Sequence, residues 1–101
     1  MSEPELSNRE MDAWLAEHGM GFPLTWIESA VFSTPAYSSD PGASDALLGE
    51  MRRRGYVFSL TVYVQGHSVA RFCRHGVDVM QQDANKLRAI AAAAKKALEG
   101  R

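Results

Sequence analysis

A single cysteine, Cys73, is all the sulfur chemistry that this 101-residue chain can offer a crosslink, so no disulfide can form within it. A lone thiol fits a reducing compartment. Long apolar runs are also missing. The longest is the alanine-rich "AIAAAA", far short of the roughly 20 residues that a membrane span needs. The opening "MSEPELSNRE" carries acids where a secretory signal would place basic residues and then an apolar stretch. The expectation is a soluble cytoplasmic chain with no leader and no membrane anchor. Nor is there an internal repeat or a linker long enough to divide the sequence, which points to a single domain over residues 1–101, with 1–7 as a flexible tail.

Each half of the chain is nearly devoid of one sign of charge. Residues 1–50 hold nine acids and only Arg9; residues 51–101 hold ten basic residues against Asp78, Asp83 and Glu99. The two halves therefore carry −8 and +7, while the whole carries −1. Such asymmetry suits either mutual attraction of the halves within the fold or a partner-binding surface. The near-neutral total argues against strong nonspecific binding to DNA. Apolar residues at 46% and charged residues at 23% place the chain among globular proteins.

What is present reads as well-punctuated elements. Ser7 and Glu10 have capping-box spacing, and Met11, Trp14, Leu15 and His18 then recur at helical period before Gly19. This predicts a helix over 8–18 anchored by Trp14. "TWIESAVF" is rich in strand formers between prolines, which predicts an edge strand around 25–33. In "PAYSSDPGASDALLGEMRRRGY", Ser39 or Asp40 caps a helix, Pro41 opens its first turn, and Asp45 lies near its positive end. Ala43, Ala46, Leu47 and Met51 form its buried stripe, Arg52, Arg53 and Arg54 meet its negative end, and Gly55 stops it. From Tyr56 to Val64 the period becomes two. Tyr56, Phe58, Leu60, Val62 and Val64 share one face, and Ser59, Thr61 and Tyr63 belong to the other, which is either covered by the last helix or left open. "QGHS" turns the chain into the strand "HSVARFC", and "VDVM" makes a short third strand. Asp83 then caps a helix over 84–99, with Leu87, Ile90, Ala91, Ala94 and Leu98 inward.

The sum is an α+β domain: a small, mainly antiparallel sheet of three to four strands layered with about three helices, sandwich-like (α/β/α). The segments "REMDAWLAEHGMGF", "PAYSSDPGASDALLGEMRRRGY" and "VFSLTVYV", with the alanine-rich closing helix, resemble the phage ABA sandwich domain family over residues 9–98. The resemblance implies a sheet layered with helices in a protein carried by a bacteriophage or prophage, working in the host bacterial cytoplasm. It implies no reaction. Arg71, Arg74 and His75 make the final strand region more basic than the family's usual look, and the acidic segment before the last helix is reduced to "DVMQQD".

Candidate chemistry is sparse. His67, Cys73 and His75 share strand parity, but the spacing matches no common zinc motif, and about 20 Å of extended strand separates His67 from Cys73. Cys73 beside His75 lacks a recognisable nucleophile motif, an oxyanion hole and an orienting group. "GMGF" comes after a helix and matches no nucleotide fingerprint. Neither a catalytic residue, a metal site nor a cofactor is therefore expected. The expected contact set is basic: Arg52, Arg53, Arg54, Arg71, Arg74 and His75, facing an acidic partner surface or phosphates. The phage setting that the resemblance implies, together with the lack of a catalytic constellation, favours non-enzymatic binding and blockade of a bacterial host protein, of the anti-defence or anti-CRISPR kind. Acidic residues Glu3, Glu5, Glu10, Asp12 and Glu17 acting as phosphate mimics are a second form of it. The alternative is a nucleic-acid or nucleotide-ligand module, with Tyr63 and Phe72 as stacking platforms. A sheet this small leaves edges, and "TWIESAVF" is the segment expected to pair two copies as a homodimer.

Overall fold

The computed structural model describes residues 8–28 and 34–99. The expected tail over 1–7, the Ser7 half of the capping box and the 29–33 part of the first predicted strand lie outside the described residues. The first helix, α1, spans Asn8–Trp14 and continues into a π-helical turn, Leu15–Gly19, closed by the Met20 N–H donating to the Leu15 carbonyl at 2.9 Å. The wider turn shifts the helical phase of residues 15–19 relative to α1. Met11, Leu15, Ala16 and Gly19 are buried, whereas His18, expected on the same face, is exposed. Trp14 is half-buried beside the core, with the Lys95 ammonium 4.8 Å from its ring centre.

The predicted edge strand is corrected where the structure describes it. Leu24–Ile27 is a single helical turn, α2, entered from Pro23. Proline fixes its own φ near the helical value and presents its carbonyl to the Trp26 and Ile27 N–H groups, at 3.0 and 3.2 Å. Local turn chemistry thus wins over the strand preference of Thr25, Trp26 and Ile27.

The third helix, α3, spans Pro41–Arg53 as its punctuation predicts. The Asp40 carboxylate accepts from the Ala43 N–H at 2.9 Å, and Pro41 sits in the first turn. At its far end the Gly55 and Tyr56 N–H groups donate to the Arg52 and Met51 carbonyls, and Gly55 takes φ +95°. The buried stripe is Ser44, Leu47 and Met51; Ala46 is exposed and gives way to Ser44.

Three strands come next: β1 Val57–Val62, β2 Ser68–Arg74 and β3 Val77–Asp83. They form one antiparallel sheet in the order β1-β2-β3, which among the described residues is the lower of the two expected strand counts. Tyr63 and His67 close the first hairpin around Val64, Gln65 and Gly66, with Gly66 at φ +103°. The register places Phe58 beside Phe72 and Phe72 beside Val79. The last helix, α4, spans Lys86–Leu98. Its cap is Asn85, whose side chain accepts from the Leu87 and Arg88 N–H groups; Asp83 ends β3 and receives the Asn85 N–H instead.

The α+β class is as expected, and the layering is set by exposure. Tyr56, Phe72 and Ala70 are buried under helices, with Phe58 and Leu60 packed beside them. The opposite face, carrying Val57, Ser59, Thr61, Arg71 and Met80, is open and bears no described helix. Sandwich-like layering is therefore built on one side of the sheet among the described residues. The helix α4 lies against β2 and β3 with one side and against α1 with another. Its Ala89, Ala91, Ala93, Ala94 and Ala97 are all buried, because only small side chains let a helix be approached closely from two directions. Tyr56 joins these layers: its hydroxyl donates to the Ala97 carbonyl at 3.3 Å, and its ring meets Phe72 edge-on.

Candidate functional site

Five of the six expected contact residues gather at one end of the molecule, where α3 finishes and the β2–β3 turn arrives. They are Arg52, Arg53, Arg54, Arg74 and His75. Arg71 lies apart, on the open sheet face.

Most of these cations already have work inside the fold. Glu50 lies three and four residues before Arg53 and Arg54, the spacing at which helical side chains meet. Arg53 donates to it through Nε and Nη2 at 2.9 and 2.5 Å, and Arg54 through Nε at 2.8 Å. Those two guanidinium groups hold the Glu50 carboxyl down to about 2, well below its ordinary 4.5. The other end of Arg54 reaches the π-helical turn, where Nη2 donates to the Gly19 carbonyl at 2.7 Å and the His18 carbonyl at 3.4 Å. Arg74 donates to the Arg54 carbonyl at 3.0 Å and stacks over the Tyr56 ring at 5.1 Å. Arg54 and Arg74 are thus clamps that join α1, α3 and β2. Arg53 pairs with Glu50 yet stays largely in water, its side chain 71% exposed. Arg52 and His75 are exposed and have no ion-pair partner among the described residues.

Arg71 forms a two-point pair with Asp78 on the neighbouring strand, at 2.8 and 2.7 Å, which lowers the Asp78 carboxyl and raises the guanidinium further. Around it the open face presents Val57, Ser59, Thr61, Val69, Cys73 and Met80. Val57 and Met80 are 69% and 60% exposed. Both pairings were within reach of sequence reasoning. Glu50 sits at helical spacing from two arginines, and Asp78 falls diagonally across from Arg71 once the hairpin register is fixed.

Other expected groupings are dispersed. His67 stacks on Tyr63 at the first hairpin, Cys73 is half-buried on the open face, and His75 stands in the next turn. Among the described residues no group of three or more His, Cys, Asp or Glu side chains could hold a metal ion. Phe72 is fully buried on the helix-covered face while Tyr63 belongs to the other parity, so the two cannot form one stacking platform. Of the proposed phosphate mimics, Asp12 is buried and accepts the Ser38 N–H at 3.0 Å, so it is a structural acid. Glu3 and Glu5 lie outside the described residues. No helix among the described residues is long and apolar enough to cross a membrane.

Helices packed over one side of a three-stranded antiparallel meander define the class of fold. A crystal structure of a phage protein from Bacillus cereus ATCC 14579 is similar to it, with a TM-score of 0.76 over 94% of this chain and 95% of that one. The two sequences are 14% identical, so the likeness is one of fold. No protein-family model matches the chain, and no curated protein matches it in sequence.

Proposed function

We propose that this chain is a phage accessory protein of the ABA sandwich kind, which docks on a bacterial host protein in the host cytoplasm and blocks it without catalysis. The reading that gives this most concrete form is an anti-defence inhibitor, for example of CRISPR machinery. The observation that carries it is the charged end of the molecule. There Arg53, His75 and the flanking Arg52 remain in water on a platform stiffened by the Arg54 and Arg74 clamps. Preorganised cations lose little freedom when they meet a partner's carboxylates. The similarity of fold to a phage protein supports the setting. Docking would act by occlusion, through the charge that this end presents.

The test is capture from bacterial lysate on the immobilised chain, read by mass spectrometry at moderate salt. A specific protein should be retained, and Arg53→Ala combined with His75→Ala should weaken it about tenfold, roughly 1.4 kcal/mol. Retention that ignores this double substitution, or no retained protein, rejects the reading. Binding to labelled single-stranded or duplex oligonucleotides that falls steeply with salt would instead favour a nucleic-acid module.

A further inference from the structure

The side of the molecule between α3 and β1 is unfinished. β1 is an edge strand, with β2 on one side and no described strand on the other. The Tyr63 N–H donates to the His67 carbonyl at 2.8 Å, which makes those two residues a hydrogen-bonded pair. By alternation Thr61, Ser59 and Val57 turn their backbone groups towards β2, while Phe58, Leu60 and Val62 turn theirs outward. The strand "VFSLTV" has no proline, lysine or other charge to blunt that edge.

Alongside the edge runs a groove made of two cavities of about 320 and 260 Å³, which share Leu48 and Phe58 in their walls. Arg52 and Val57 border the first; Asp45, Leu60 and Lys86 border the second. Asp45, Leu48 and Arg52 are spaced i, i+3, i+7, so they form one stripe of α3. Asp45 and Arg52 are both exposed, and neither has an ion-pair partner among the described residues.

We infer that this side is a self-association surface, on which two copies of the chain join their β1 edges antiparallel into one six-stranded sheet. In that arrangement Asp45 of each copy meets Arg52 of the other. Two centres coincide on this side of the molecule. Asp45 lines the cavity that reaches Leu60, Arg52 lines the one that reaches Val57, and Phe58 belongs to both, so the centre between the opposite charges falls near Phe58. Phe58 is also an outward-facing position about which β1 can pair with itself, setting Leu60 opposite Tyr56 of the second copy. A two-fold axis there satisfies backbone and charge together, as a self-complementary interface requires. An acidic foreign strand would meet Arg52 and Lys86 favourably but would run against Asp45. A second copy supplies a cation at that point. The inference goes beyond the docking reading and does not depend on it.

Sedimentation equilibrium of the intact chain tests this. Wild type should sediment at twice its 11.1 kDa. Asp45→Arg and Arg52→Asp should each dissociate the dimer at least tenfold more readily, because each brings like charges together. The double swap, carrying both changes, should restore association. Circular dichroism on every variant checks the fold. Amide exchange at Phe58 and Leu60 of the wild type gives a readout that needs no substitution: it should slow as concentration rises. A wild type that stays monomeric up to about 1 mM overturns the inference. So do single variants that dimerise as the parent does, a double swap that fails to associate while folded, or exchange at Phe58 and Leu60 that is indifferent to concentration.

Discussion

Tyr37 shows how much one side chain can reveal about its surroundings. It is 1% exposed, its hydroxyl has no hydrogen-bond partner among the described residues, and Asp12 lies near enough to act on it electrostatically. Burial first, and the Asp12 charge second, push its pKa up from 10.0 to about 12. The folded value lies above the unfolded one, so the associated stability is complete below pH 10 and is lost as the pH climbs towards 12. The two-unit difference is worth about 3 kcal/mol. Urea denaturation between pH 9 and 12 should show this decline, and Tyr37→Phe should abolish it while leaving stability near neutral pH within about 1 kcal/mol. Nothing in the sequence marks Tyr37 or Asp12 for burial. "PAYSSD" reads as a loop by composition, and an aspartate in a surface helix ordinarily faces water. Their closure depends on Ser38, which is 26 residues from Asp12, donating its N–H to that carboxylate.

Among the elements, α3 was the most legible, because every signal for it is local. Asp40, Pro41 and Gly55 each act within a turn of where they stand, and the structure keeps all three roles. The two features of α3 that differ from expectation involve other parts of the chain. Ser44 replaces Ala46 in the buried stripe because the facing elements, and not periodicity alone, choose the face. The triple arginine is not one patch. Arg54 spans from Glu50 to the His18 and Gly19 carbonyls, a contact 35 residues away that helical spacing cannot show. Arg54→Ala should accordingly destabilise the protein by about 1–2 kcal/mol in urea denaturation, and by more than Arg53→Ala does. Arg54→Lys should recover little, since an ammonium cannot reach a carboxylate and a carbonyl from the two ends of a planar fork. The α2 turn failed to read for a related reason: four residues carry too little period to oppose a strand-rich composition.

At the scale of the whole molecule, the sequence carried the class of fold and the strand pairing, and it left open which sheet face would be covered. The parity of Tyr56, Phe58 and Leu60 was plain, but the mixed face of Ser59, Thr61 and Tyr63 suits either water or a second layer. The candidate site was only partly legible, since the arginines were visible and their internal partners were not. The open face carries a direct test. Val57→Thr and Met80→Gln should each change stability by less than about 0.5 kcal/mol. Phe72→Ala, directly behind that face, should cost about 3–5 kcal/mol, measured in the same urea titrations.

The strand order β1-β2-β3 also fixes how the chain finds its shape. From Pro41 to Leu98 the strands pair with their neighbours in sequence and α4 lies chiefly on β2 and β3, with lesser contacts to α3 and β1, so most closures confine a short loop and the entropic toll of assembly stays small. Among the described elements α1 is gathered from furthest away, and the Arg88 guanidinium that receives it donates to Asn8 from 80 residues down the chain. Docking the amino-terminal helix therefore closes the longest loop of the described fold, as a keystone spans a vault.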